Sequence, residues 1–386
     1  MGMPENHQDF EQLQQGFARD GIDGLLSVLE SSLRRDKKYH ELFEALKIRV
    51  RHHLGLPPHD NDLGDSLEAT QQDALETGLL ESCRDVGMAL LRDGRIREAW
   101  MYLRPAMDPK SLIKQLDQVP INDENRDEMI ELTLHEGLDV ARGYAMVLEH
   151  YGTCNAITTF QSFAHGKTRT DLQGPVGLLV EHVYRELTES VRAHIEREES
   201  TEPSEDSLAQ LIAQRKWLFG EFSYHIDASH LSSATQAARF LDDPKLLRIS
   251  LEMTDYGSRL NPQFQYPGEE PFVETYPSHR LYFQVLLDED RTNALRFFEE
   301  RARTIDAYEQ GTAAAETYID LLARVGRFNE AIEAQIEFIP DNVHTTGLAP
   351  ELLDLAQHAQ NYDSVLKYYQ NRGNLLAYAT GLLQAK

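Results

Sequence analysis

Apolar residues recur every three or four positions over most of this chain, the spacing that lays one face of an α-helix against a core. The clearest stretch is YIDLLARVGRFNEAIEAQIEFIP, Tyr318 to Pro340. Tyr318, Leu321, Leu322 and Val325 form one stripe, and Phe328, Ala331, Ile332, Gln335 (through its stem) and Phe338 form the next. Gly326 can take the left-handed backbone that ends a first helix, and Pro340 stops a second. The pattern predicts a helical hairpin turning at Val325-Gly326-Arg327.

A second hairpin is expected over Ala89 to Leu103, turning at Asp93-Gly94-Arg95. Aligning LLRDGRIREAW with LLARVGRFNEAI matches Gly94 to Gly326, Ile96 to Phe328, Glu98 to Glu330 and Ala99 to Ala331. Small alanine lets two helices approach, and the larger residue before it fills the corner under the turn. Looser copies are Leu286 to Phe298, with Ala294 as the small residue, and Leu355 to Tyr369. In the latter, Asn361 stands for the capping glycine and Tyr362 for the corner aromatic. The turns near Asp290, Gly326 and Asn361 lie about 35 residues apart, the period of two helices and two turns.

Through Gly326, Phe328, Glu330, Ala331 and Ile332, and through Gly94, Ile96, Glu98, Ala99 and Trp100, these hairpins resemble tetratricopeptide or related helix-turn-helix repeats. The family's first-helix tryptophan and second glycine are not in place. The resemblance implies an all-α fold of antiparallel helical hairpins, an α-α superhelix whose concave surface binds proteins or peptides. It brings no catalytic residues.

The expected organisation is N-terminal helices over 1–53, a linker or surface loop over 54–66, and a repeat domain over 67–386. Within that domain, residues 130–280 form an irregular, more polar helical middle. Helices are predicted there over Ile130 to His150, Ala156 to Phe163, Val176 to Ile195 and Leu208 to Ile226. Turns are expected at Tyr151 to Asn155 and at Gln173-Gly174-Pro175, with a flexible acidic loop over Glu196 to Ser207. Asn261 to Pro277, with four prolines and aromatics Phe264, Tyr266, Phe272 and Tyr276, is either a lid over a groove or a packed irregular loop.

Hydrophobic residues make up 41% and charged residues 26%, fitting a soluble globular class, and the net charge of −26 repels nucleic acid and anionic membranes. A local basic run, Arg34 to His53, reads as a solvated helix face that pairs with acidic neighbours. Two cysteines, Cys83 and Cys154, make no disulfide framework. The start MGMPENHQDFEQ has no signal-peptide pattern, and Asn6 spoils a myristoylation motif begun by Met1-Gly2. No apolar run reaches the length of a membrane span. A cytoplasmic protein follows, with its oligomeric state unread.

Candidate chemistry gathers in the middle section, where eight of the fifteen histidines fall. The segment WLFGEFSYHIDASHLS places Glu221 and His225 four apart, on one predicted helix face, with Trp217 a turn earlier. His225, Asp227 and His230 have the ligand types a divalent metal accepts. Cys154 beside Asn155, near His150, has the type of a nucleophile, and His182 and Tyr266 could line the same pocket. Each has a structural counterpart: a Glu–His pair is commonly a surface hydrogen bond, and a free cysteine a small hydrophobe. There is no glycine-rich phosphate loop, GxSxG or HExxH. The reading favoured is a protein that binds a protein or peptide partner in a groove, with no cofactor. The alternative is a metal- or histidine-dependent enzyme or small-ligand protein with a pocket in the middle section.

Overall fold

A computed structural model describes residues 6–59, 67–340 and 343–385. Met1 and Gly2, and residues 60–66 of the expected linker, lie outside them. The chain is 73% helical with no strand among the described residues, so its core is built from helix packed on helix alone. It divides into two units, Met1–Met146 and Val147–Lys386. The division falls inside a helix and not at residues 54–66.

The first unit carries α1 (Asn6–Arg35), α2 (Tyr39–His53), α3 (Ala69–Arg92), α4 (Ile96–Ala106), α5 (Pro109–Leu116), α6 (Arg126–Ile130) and the start of α7 (Val140–Phe163). Sequential helices pack in pairs from α1 to α4. The break in α1 at Asp20-Gly21 brings its halves so close that a Cβ on Gly24 would collide with the Gly16 carbonyl oxygen. The basic run is spent on local partners. Arg34 pairs with Asp85, Arg35 with Asp9, Lys37 with Asp93 and Arg49 with Glu30. Buried Arg51 donates to the Pro57 and His59 carbonyls and so fastens the chain after α2.

The second unit carries the rest of α7, then α8 (Arg169–Glu199), α9 (Leu208–Ala213), α10 (Ala228–Ala237), α11 (Pro244–Gly257), α12 (Thr275–Leu286) and α13 (Arg291–Thr304). It ends with α14 (Ala307–Gln310), α15 (Ala313–Arg324), α16 (Phe328–Phe338), α17 (Leu352–Ala359), α18 (Asp363–Asn371) and α19 (Leu375–Gln384). Contacts run α11 to α12, α12 to α13, α13 to α15, α15 to α16 and α16 to α17, while α8 packs on α10 and α11. Tyr256, Tyr276, Tyr282, Phe283 and Phe298 are fully buried at its centre. Side chains of this size stabilise a core by roughly 1.5–3 kcal/mol each.

Both leading hairpins form. At the end of α3 the Gly94 N–H bonds Leu91 O at 3.0 Å and the Arg95 N–H bonds Leu90 O at 3.0 Å; Gly326 and Arg327 repeat this on Ala323 and Leu322 at 3.0 and 2.8 Å. This pair of bonds closes a Schellman turn, with the glycine at positive φ. The matched glutamates also have one role: Glu98 pairs with Arg95, and Glu330 with Arg327. In the looser copies the left-handed residue is Gln360, one before the expected Asn361, and Asp288 together with Asp290.

Four expectations for the middle need correction. The helix over Ile130 to His150 is broken: α6 runs into a π-helical turn, Glu131–His135, and α7 starts afresh at Val140 after Gly137 takes φ 79°. No turn forms at Gln173-Gly174-Pro175, because α8 runs straight through Pro175. Gly174 lacks the Cβ that would otherwise clash with the proline ring in helical geometry. The helix over Leu208 to Ile226 ends at Ala213, and residues 219–227 are irregular apart from the chain's entry into α10. The acidic loop is pinned: Arg215 holds Glu199 and Glu205, and Arg192 donates to the Pro203 carbonyl.

Candidate functional site

The histidine-rich residues are distributed over separate contacts. His225, half-buried, donates its backbone N–H to Tyr256 Oη at 3.0 Å, and its ring lies 2.8 Å from both Tyr256 Oη and His194 Nδ1. Burial, reinforced by the neighbouring His194 and Arg197, pushes its pKa down to about 4. Asp227 caps α10, accepting from the Ser229 N–H at 2.8 Å and its hydroxyl at 2.5 Å, and these bonds hold its carboxyl below the usual range. His230 Nε2 sits 3.0 Å from Cys154 Sγ. Among the described residues no group of three His, Cys, Asp or Glu side chains is arranged to hold a metal ion.

Cys154 and Asn155 are exposed on α7 past its kink at Gly152, and His150 is exposed just before it. Asn155 donates to the Tyr151 carbonyl at 2.7 Å. His182 instead meets Thr153 Oγ1 at 3.0 Å and Glu186 at 3.2 Å. Trp217 lies edge-on to His194, Glu221 stands in the irregular segment with its carbonyl accepting from Gln263, and the Tyr266 ring is exposed. With no helix over residues 219–226, Glu221 and His225 do not share a helix face.

A cavity of about 810 Å³ in the second unit is instead walled by segments distant in sequence. One wall is the chain from Ala164 to Thr168 and the start of α8 at Arg169; the next is Gln236 near the end of α10 with Arg239 and Phe240 just beyond it. Pro267 to Phe272 with His279 of α12 add a third, and Ala313 and Thr317 of α15 with Thr346 to Leu348 complete it. The long proline-rich segment thus supplies a wall of the cavity, with Phe272 and Tyr276 buried. Its last residues, Thr275 to Pro277, already belong to α12.

Each wall is fixed by a buried polar group. Glu316 accepts from the Thr346 N–H at 2.7 Å, the Thr346 hydroxyl at 2.9 Å and the Leu348 N–H at 2.9 Å. Arg324 donates to the Arg239 carbonyl at 2.8 Å and to Asp242 at 2.6 Å, tying down the turn that carries Arg239. Asp320, buried, pairs with Arg169 and accepts from Tyr282 Oη at 3.2 Å.

Arg239 differs from those two arginines. Its Nε donates to the Gln236 carbonyl at 3.0 Å and its guanidinium lies 4.7 Å from the Phe272 ring centroid. It makes no ion pair among the described residues, and burial pulls its pKa down from the usual arginine value, opposed by the charges of Tyr282, Asp320 and Glu269. His279 is fully buried, its ring stacked on Phe272 with centroids 4.2 Å apart. Its Nδ1 lies 2.6 Å from the Thr275 carbonyl, which can only accept, so the proton sits on Nδ1. Nε2 is left as a lone pair without a partner, and burial pushes the pKa down to about 3.

None of Arg239, His279, Lys167, Arg169 and Glu270 was singled out as a site residue from sequence. The signal lay in the proline-rich segment, whose length marks a wall or lid but not what it faces. Compared with known proteins, the chain matches no family model, no curated protein and no solved structure.

Proposed function

We propose that the second unit is a binding module for a small anionic molecule, held in the cavity with Arg239 as its principal contact. The observation that carries this is the lone guanidinium. Its neighbours Arg169 and Arg324 each have a carboxylate, whereas Arg239 has a carbonyl and a ring face. Arg239 is part-exposed and lines the cavity, so its remaining N–H groups are free to meet a ligand's phosphate or carboxylate in charge-assisted hydrogen bonds. Lys167 and the first turn of α8 face the same space, and a helix start favours negative charge. The volume lies within the range of roughly 300–1,000 Å³ usual for small-molecule sites.

Calorimetric melting in phosphate, sulfate or citrate, against chloride at matched ionic strength, tests the reading. These anions stabilise most proteins by exclusion, so the rise over chloride is expected to be larger in the wild type than in Arg239→Met for at least one of them; equal rises in the two contradict it.

The recurring Schellman hairpins are further read as repeats of the tetratricopeptide kind, stacked in an antiparallel superhelix that docks a polypeptide partner. Exposed Leu375, Leu376 and Leu383 on α19 favour that second reading. Replacing all three with glutamine abolishes capture of such a partner if it holds.

A further inference from the structure

The cavity is lined by charges of both signs, and this bears on its ligand. Lys167, Arg169 and Arg239, with the N-terminal turn of α8, bring positive charge to its lining, and the loop from Pro267 to Phe272 brings Glu269 and Glu270. Asp171 partly answers the helix start by closing a capping box with Thr168. Glu270 shares one carboxylate oxygen with Arg301 at 3.3 Å, while its other oxygen is buried without a partner. The unpartnered His279 Nε2 lies behind the same wall, as a lone pair. Neither atom reaches solvent, so both act through the field they set up. Glu269 is exposed at the cavity and makes no ion pair among the described residues. The loop therefore brings acceptors, and Lys167, Arg169 and Arg239 bring donors, to one cavity.

A ligand that is only an anion answers the cations and sets its charge against Glu269. Like charges brought together disfavour such a ligand. A cavity of about 810 Å³ is also far larger than a bare phosphate or sulfate needs. Resting on the reading of this cavity as an anion site, we propose that it takes a zwitterion, with the anionic head against Arg239 and Lys167 and an ammonium group against Glu269. The anionic head is a phosphate or a carboxylate, and the two are separated by the probes below.

Isothermal titration calorimetry of the full chain at low salt uses O-phosphoethanolamine, ethyl phosphate and ethanolamine, then β-alanine and propionate as the carboxylate pair. In the matching pair the zwitterion binds about tenfold more tightly than the plain anion. Glu269→Gln, at an exposed position where folding is not at stake, brings the zwitterion down to the plain anion's affinity. The same variant leaves the plain anion's affinity equal or improved. If plain anion and zwitterion bind alike, both lost in Arg239→Met, the zwitterion is wrong and the anion site stands. If no probe binds, or Arg239→Met binds them as the wild type does, both readings fall. An advantage that survives in Glu269→Gln overturns the assignment of the ammonium group to Glu269.

Discussion

Two arginines of the second unit differ in how their charge is met. Arg324 reaches Asp242, Tyr282 and two carbonyls, whereas Arg239 has the Gln236 carbonyl and the face of Phe272. Breaking a satisfied pair should therefore cost more than removing the unsatisfied charge. Asp320→Ala, which strands Arg169, is expected to lower stability to urea by about 3–5 kcal/mol, and Arg239→Met to leave it equal or higher. A larger loss in Arg239→Met than in Asp320→Ala would mean that Arg239 is not short of a partner. The histidines give a pH dependence. His279 and His225 titrate near 3 and 4 in the fold but near 6.5 when unfolded, so below 6.5 the unfolded chain takes up protons that the fold refuses. Their contribution is full above that pH and is lost toward acid, by up to about 1.4 kcal/mol per pH unit for each. Urea unfolding between pH 7.5 and 5 should show a shallower slope in His279→Gln than in the wild type; equal slopes would show that His279 is not held neutral. Neither residue stood out in sequence: Arg239 follows an ordinary helix, and the partner His279 lacks is visible only in space. The grouping of His225, Asp227 and His230 was legible as proximity in the chain. Each then found its own partner, Tyr256, Ser229 or Cys154.

At the level of elements, the hairpins were legible because their signal is local. A glycine at the end of an apolar stripe takes the left-handed backbone, and two N–H groups close on the carbonyls behind it. Gly326→Ala places a Cβ in that conformation and should cost about 1–2 kcal/mol. Gln360 occupies the equivalent position with φ 51°, so Gln360→Gly should stabilise, by roughly 0.5–1 kcal/mol after the entropy of glycine is charged against it. Urea titrations giving the two changes the same sign would refute the equivalence of these turns. Helices in the middle section were less legible, since apolar spacing there is satisfied in other ways. Phe219 packs on Tyr256 from an irregular segment, and Phe222, which the helical pattern would bury, is exposed. Pro175 misled in the opposite direction, its helix-breaking character removed by the glycine before it.

Over the whole molecule, the all-helical class follows from periodicity, and no described helix is long and apolar enough to cross a membrane. The cavity had no such signature, because its walls come from residues near 165, 239, 270, 279, 315 and 347, which only the packing of α8, α10, α12 and α15 brings together. Its cationic residues also run against the net charge of −26, which repels an anion at long range, most of all at low salt. An anion that binds must therefore be held by the local fork of Arg239 and its neighbours. The most direct measurement follows that side chain itself. In protein labelled with ¹⁵N-arginine, the Nε resonance missing from the Arg239→Met spectrum is tracked as ethyl phosphate is added. A saturable shift of that resonance, with those of Arg169 and Arg324 moving less, is the predicted result; a resonance that stays still, or arginine signals that all drift together, would contradict the account.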